Sequence, residues 1–187
     1  MLTHKGTKKI TTNRLVLRRF SVADAQTVYS NWANDDRVTK YLTWETHACV
    51  EVTKRVLQEW QENYKKDDYY HWGIEFEGKL IGSIGVVEIS DKHSRGVIGY
   101  CIGFDYWNKG IVTEALQAVM DYMFSEVNMN KLFAYHDVEN PGSGRVMEKC
   151  GMVQEGVLRE DMLRRDGSYG DMRMLGILRR EWESRKA

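Results

Sequence analysis

The segment from Arg95 to Val127 limits the fold more than any other part of the chain. Its sequence predicts an apolar strand, then a short loop with one glycine, and then a long amphipathic helix. The strand is predicted over Arg95 to Phe104, and the helix begins near Thr113. One apolar stripe of the helix is formed by Leu116, Val119, Met120, Met123 and Val127. Such a turn directs several unpaired amides at one spot, so it predicts an anion site.

The patterns on either side of this unit predict a mixed α/β fold. About seven strands and about four helices follow the order strand, two helices, three strands, helix, strand, helix, two strands. This order does not alternate regularly, so an antiparallel-rich sheet is favoured over a doubly wound one. The other strands are predicted at Arg14 to Arg18, Tyr70 to Phe76, Lys79 to Ile89, Lys131 to Asp137, Val153 to Leu163 and Tyr169 to Leu178; the other helices start at Ser21, Thr46 and Ser143.

Composition excludes several classes of protein. The 187 residues predict a single domain over 1–187 with its core at about 12–182. The formal net charge of +0 lacks the basic surplus of a nucleic-acid-binding protein. No apolar run approaches the ~20 residues of a membrane span, and residues 1–13 do not form a signal segment, so a cytoplasmic protein is expected. Three widely spaced cysteines give no metal-ligand pattern, and no metal is expected.

Two short segments are candidates for binding or catalysis. Gly110 allows a close approach of the backbone to an anion, and Lys109 adds charge at the rim. Glu114 would repel that anion, so its side chain is expected to face solvent or the preceding strand. Asn140 and Ser143, three residues apart, stand at the mouth of a short helix, where either one is equally able to cap it.

Ordered motifs then give a family resemblance from about residue 12 to 182. The chain resembles the GNAT superfamily of N-acetyltransferases, and most closely its branch of ribosomal-protein N-terminal and spermidine acetyltransferases. The matching segments are Gly99 to Gly103, Tyr106 to Ala115, Asn140 to Ser143, Lys149 to Met152, Glu155-Gly156, Leu158-Arg159, Asp166 to Asp171 and Glu181-Trp182.

The resemblance implies a splayed central sheet with acetyl-CoA bound in the splay. The pantetheine arm would pair with the strand at Ile102, Gly103 and Phe104, and Asn140 would bond to it. The remaining cofactor-binding residues implied are Trp107, Asn108, Lys109, Gly110, Ile111, Val112, Thr113, Ser143 and Lys149. The amides of Asn108 to Thr113 would hold the pyrophosphate.

The resemblance also implies catalytic roles, with alternatives. Glu88 is the candidate general base, although a surface glutamate at a strand end fits the same pattern. Related enzymes place a glutamate where this chain has Met162. Glu160 and Asp161 are next to it, but neighbouring residues of a strand point to opposite faces, so the role is not carried over to either. Ser143 is the candidate proton donor to the departing thiolate. His136 and Tyr100 are more readily explained as structural residues.

The acceptor is predicted to be a primary amine. A protein N-terminal α-amine is favoured, because ~1/7 of it is neutral at pH 7, compared with ~0.04% of a lysine amine. Polyamines, antibiotics and a non-catalytic acyl-CoA-binding role remain alternatives, and a homodimer is compatible with the sequence. Trp32, Tyr41 and Trp44 are the candidate acceptor-site residues, although all three could instead pack the first two helices. Asp35, Asp36 and Glu45 could attract a cationic amine or simply be solvated.

Overall fold

One sheet of eight strands, flanked by six α-helices, makes up the computed structural model, which describes residues 1–186. The strands are β1 (Ile10–Thr11), β2 (Leu15–Arg18), β3 (Tyr70–Phe76), β4 (Lys79–Ser90), β5 (Arg95–Ile102), β6 (Lys131–Asp137), β7 (Val153–Leu163) and β8 (Tyr169–Leu178). The helices are α1 (Ala25–Val28), α2 (Asp36–Thr39), α3 (Val50–Asn63), α4 (Ile111–Ser125), α5 (Pro141–Lys149) and α6 (Arg179–Ser184). The mixed, mostly antiparallel fold class is confirmed.

The strand order is β1-β2-β3-β4-β5-β6-β8-β7, and every neighbouring pair is antiparallel except β5 and β6. The parallel pair is short. Its register covers only Arg95 with Lys131, Gly96 with Leu132, and Val97 with Phe133. Beyond Val97 the two strands have no pairing with each other, so the sheet opens into a V between the C-terminal parts of β5 and β6.

Several predicted boundaries are wrong. The two-residue β1 is an eighth strand, and α2 and α6 are short helices that the sequence patterns did not reveal. The helix predicted from Ser21 is divided into a 3-10 turn, α1 and a π-helical turn at Tyr29–Ala33, although Ser21 and Asp24 do form the capping box that starts it. The helix predicted from Thr46 begins at Val50, because the Thr46 hydroxyl is instead bonded to Thr39 and Asp36.

Two apolar clusters pack the sheet on its opposite faces. One contains the buried stripe of α4 and side chains from the central strands, among them Trp72, Ile84 and Leu132. The other joins α1 and α3 through Phe20, Trp32 and Leu57. No helix within residues 1–186 has the length and apolar character of a membrane span.

Gly82 in β4 sets the close approach of β4 to β5, and β5 is the strand that borders the V. A Cβ there would press on the Cys101 carbonyl oxygen and lie 2.9 Å from Ile102 Cα, and neither backbone atom can move freely. Gly82→Ala is therefore expected to lower the free energy of unfolding by ~1–3 kcal/mol, measured by urea denaturation. Gly156→Ala in β7 is the matched control, since its Cβ would meet no atom within 4 Å. An equal loss in the two variants would contradict the steric explanation.

Candidate functional site

Six consecutive backbone amides, from Asn108 to Thr113, donate to no protein acceptor within residues 1–186. The last three belong to the first turn of α4, where an α-helix always leaves its amides without partners. The preceding loop adds the other three. This run of donors lies at the positive end of a 15-residue helix, where an anion is stabilised. We call residues 108–113 the amide cradle.

The backbone of the amide cradle has a conformation that favours glycine. Gly110 is the N-cap of α4 with φ +71°, and Asn108 has φ +60°. The helix thus begins at Ile111, two residues before the predicted start near Thr113. Ile111 and Val112 are 1% and 8% exposed because their side chains pack in the core. The cradle is consequently formed by main-chain groups.

The loop that leads into the amide cradle is held by aromatic side chains. β5 ends at Ile102, and Phe104 lies in a 3-10 turn, so the predicted extension of the strand to Phe104 is wrong. The Trp107 indole donates to the Ile102 carbonyl at 3.0 Å, and its ring centroid lies 4.9 Å from that of Phe104. Lys109 Nζ lies 5.3 Å from the centre of the Tyr106 ring, at the exposed rim.

The open edge of β5 faces the V. Gly103 donates its N–H to the Ile81 carbonyl at 2.8 Å and therefore faces β4. Because backbone groups in an antiparallel strand alternate in direction, those of Ile102 and Tyr100 point toward β6. Of the three residues predicted to pair with the pantetheine arm, Ile102 thus lies on the open side, whereas the Gly103 amide is already bonded.

The N-terminus of α5 meets β5 across the V. The Asn140 side chain accepts a hydrogen bond from the Ser143 amide at 3.4 Å, so Asn140 is the helix cap and the Ser143 hydroxyl is not. Tyr100 Oη lies 2.9 Å from Ser143 Oγ and 3.1 Å from the Ser143 carbonyl oxygen. Burial raises the pKa of Tyr100, so its hydroxyl stays protonated at neutral pH. Tyr100 therefore supports the Ser143 side chain within the V.

Two more predicted residues lie on or beneath α5. Lys149 is exposed in the last turn of the helix, and the thiol of the adjacent Cys150 donates to the Thr113 carbonyl at 3.4 Å. That contact places the Lys149 end of α5 beside the amide cradle. His136 is 4% exposed, donates through Nδ1 to the Asp137 carbonyl and packs below Gly144. This placement favours the structural role for His136.

Glu88 follows a β-bulge in β4, the strand on the far side of β5 from the V. In the β4–β5 register Val86 opposes Ile98 and Glu88 opposes Val97, which leaves Val87 without a partner residue. Glu88 is exposed. Burial raises the pKa of Tyr135 on β6, and the negative charges of Glu88 and Asp161 raise it further.

The role of Asp161 could not be predicted from the strand pattern, because β7 is irregular where it passes Asp171. Leu158 opposes Met172 and Met162 opposes Gly170, so three residues of β7 occupy the space opposite one of β8. The bulge is fixed by Asp171, whose side chain accepts the amide of Glu160, itself at φ +53°. A wide bulge breaks the alternation of side chains. Counting along the strand to Met162 therefore cannot identify which acid faces the V.

The three predicted acceptor-site aromatics have different environments. Trp32 is 1% exposed and packs beside Phe20 in the core, so it offers no surface to a ligand. Tyr41 and Trp44 are half-buried in the segment between α2 and α3. Lys40 Nζ lies 4.8 Å from the Tyr41 ring centre, and the Trp44 ring lies 5.3 Å from that of His47.

Two arginines connect the β7–β8 hairpin to the end of β6 and to the segment between α2 and α3. Arg164 pairs with the buried Asp137 carboxylate through Nε at 2.7 Å and Nη2 at 2.8 Å. Arg165 extends in the other direction, where it donates to Asp36 Oδ1 at 3.2 Å and to the Trp44 carbonyl at 3.2 Å. The hairpin and the segment between α2 and α3 are thereby brought into contact, and Arg165 forms an exposed ion pair with Asp36.

The family model for the acetyltransferase (GNAT) domain matches residues 14–153. This chain belongs to the GNAT family of acetyltransferases. Its Bacillus subtilis (strain 168) relative YoaA, named an N-acetyltransferase, is 32% identical over 160 residues, which are 84% of this chain and 90% of YoaA. An acetyltransferase of known structure from Bacillus anthracis is 27% identical, with a TM-score of 0.80 over 92% of this chain and 99% of its own. The protein is an N-acetyltransferase, and acetyl-CoA is its acetyl donor.

Two further relatives carry names that mention an acceptor. YdaF of Bacillus subtilis (strain 168), named "Putative ribosomal N-acetyltransferase", is 29% identical over 82% of this chain and 84% of YdaF. A spermidine N(1)-acetyltransferase of Vibrio cholerae is 30% identical over 57% of this chain and 61% of that protein. The two names differ in acceptor, so family membership establishes the donor and the type of reaction but not the amine.

In this acetyltransferase the Glu114 carboxylate is held away from the amide cradle by contacts that the sequence did not predict. Its carboxylate faces neither solvent nor β5. Instead it binds Thr12 and Arg14, in the turn between β1 and β2. Nothing in the sequence pattern joins residues 100 positions apart, so Arg14 could not be recognised as a neighbour of the cradle.

Proposed function

We propose that this acetyltransferase transfers the acetyl group of acetyl-CoA to the N-terminal α-amine of a protein. The amide cradle carries the donor half of the proposal. A pyrophosphate needs several convergent donors, and six amides without a protein acceptor at a helix N-terminus supply them. Ile102, Asn140 and Lys149 line the route between the cradle and the V and would complete the donor site.

The residues of the V support direct transfer. Acetyl-CoA, when bound, supplies a thioester carbonyl that a neutral amine attacks, and the thiol departs. Ser143, held by Tyr100, would donate a hydrogen bond to the departing sulfur.

Glu88 and Asp161 are the candidate bases that would take a proton from the acceptor ammonium, so that the neutral amine can attack. Both carboxylates are exposed, and the negative charge of each raises the pKa of Tyr135 on β6. Because an α-amine is already partly neutral at pH 7, it needs less help from a base than a lysine does. The name of YdaF is in keeping with this acceptor.

Spermidine is a second candidate, favoured by the name of the Vibrio cholerae relative. The segment between α2 and α3 supplies acids near the proposed acceptor route. The Asp36 side chain is 84% exposed and shares its charge only with Arg165. A polyamine could use these acids, whereas a peptide N-terminus requires only one carboxylate.

An acceptor screen tests the proposal and separates the two candidates. Thiol release from acetyl-CoA would be followed with matched peptides, one with a free N-terminus and no lysine, the other N-acetylated with one lysine, and with spermidine. We expect turnover with the free N-terminus to exceed that with the blocked peptide by at least ~10-fold, since the neutral fractions of the two amines differ by more. Turnover with spermidine alone would replace the peptide proposal, and none with any amine would refute transfer.

A further inference from the structure

Four contacts connect the turn between β1 and β2 to the amide cradle. Arg14 donates through Nη1 to the Lys109 carbonyl at 3.2 Å and through Nε to Glu114 Oε2 at 2.7 Å. The Arg14 amide and the Thr12 hydroxyl donate to Glu114 Oε1 at 3.0 and 2.6 Å. Both oxygens of this carboxylate, and the carbonyl before Gly110, are therefore bound to one turn.

The contact with the Lys109 carbonyl has a consequence for the amide beside it. In a trans peptide the C=O of Lys109 and the N–H of Gly110 lie in one plane and point in opposite directions. Because Arg14 holds the carbonyl on its own side, the Gly110 amide points away from Arg14. A glycine readily adopts both signs of φ, so this peptide would otherwise be free to rotate and withdraw its N–H.

The contacts with Glu114 remove an electrostatic conflict. A carboxylate in the first turn of α4 would repel an anion at the amide cradle. Partial burial alone would raise the pKa of Glu114, but the hydrogen bonds from Thr12 and Arg14 outweigh that effect and lower it. The carboxylate thus stays ionised, with its charge balanced by the Arg14 guanidinium.

We propose that Arg14 is a positioning residue of the donor site, which orients the Lys109–Gly110 peptide toward the pyrophosphate of acetyl-CoA and balances the charge of Glu114. The inference rests on the proposed assignment of the amide cradle to that pyrophosphate. It goes further by adding a side chain from the N-terminal part of the sequence, which acts through the Lys109 carbonyl and Glu114.

Two ligands that differ in the pyrophosphate test this role. Dissociation constants for CoA and for pantetheine, which lacks the pyrophosphate and the nucleotide, would be measured with wild type, Arg14→Ala and Arg14→Lys. We expect Arg14→Ala to weaken CoA binding about tenfold or more and to leave pantetheine unaffected. Arg14→Lys should recover part of the CoA affinity. Equal weakening of both ligands, or no weakening of either, would overturn the role.

Arg18→Ala is the matched control, because Arg18 stands at the other end of β2 and also pairs with partly buried acids, Asp24 and Glu75. It should lower stability and keep the wild-type ratio of the two affinities. Arg14→Ala combined with Glu114→Gln separates charge from orientation. The double variant should still bind CoA weakly, and full recovery would overturn the orienting role. Failure of wild type to bind CoA would instead refute the cradle assignment.

Discussion

Gly110→Glu is expected to abolish the binding of acetyl-CoA. The substitution places a bulky anion beside six amides that would otherwise face a pyrophosphate, with its Cβ 3.7 Å from Arg14 Nη2. It also forces an L-residue to φ +71°, at a cost of ~1–2 kcal/mol. In wild type, a ligand at 100 times its dissociation constant stabilises the native state by ~2.7 kcal/mol. Thermal denaturation with and without acetyl-CoA should therefore show a shift in wild type and none in the variant.

The control variant must introduce the same backbone strain at a glycine that lies outside the amide cradle. Gly78, in the β3–β4 turn, has φ +74°, and a Cβ there would meet no atom within 4 Å. Gly78→Glu should lose a similar amount of stability and keep the full shift with acetyl-CoA. A shift of wild-type size in Gly110→Glu would show that the pyrophosphate binds elsewhere, and the donor assignment of residues 108–113 would then fail.

The part of the donor site that the sequence predicts is the part built from local structure. A strand, a glycine and an amphipathic helix dictate their own geometry, so they predict an anion site at Gly110 without a fold, and the family resemblance then names the amides of residues 108–113. The start of α4 was misplaced by two residues because Gly110, in the left-handed region, is itself the N-cap. Short elements such as β1 and α2 carry too few residues for a periodic signal.

The unpredicted part depends on contacts between distant segments or on broken periodicity. Arg14 and Glu114 are 100 residues apart, and Tyr100 meets Ser143 only because the sheet opens after Val97. Asp161 was hidden by a bulge that destroys the two-residue alternation of β7. Trp32 shows the opposite error, since an aromatic residue at helical spacing near a loop was a pocket candidate and proved to be core.

Ser143→Ala is expected to lower kcat by ~10²-fold, at the low end of the usual range for a proton donor, since a hydroxyl is a weak acid. The KM for acetyl-CoA should change little, because the cradle and Asn140 are untouched. The structure makes this substitution informative. Asn140 caps α5 and the Ser143 amide survives in alanine, so the helix keeps its cap. The measurement is steady-state thiol release with the acceptor identified by the screen.

Two companion variants distinguish proton donation from helix stability. Ser143→Cys keeps a transferable proton on a more acidic group, so it should recover activity that alanine loses. Asn140→Ala removes the cap and should cost ~0.5–2 kcal/mol of stability, whereas Ser143→Ala should cost less. Activity in Ser143→Ala equal to wild type would remove the hydroxyl from the reaction. The Tyr100 hydroxyl, already 2.9 Å from Ser143 Oγ and kept protonated by burial, would then be the remaining donor on β5, and Tyr100→Phe would lower kcat in its place.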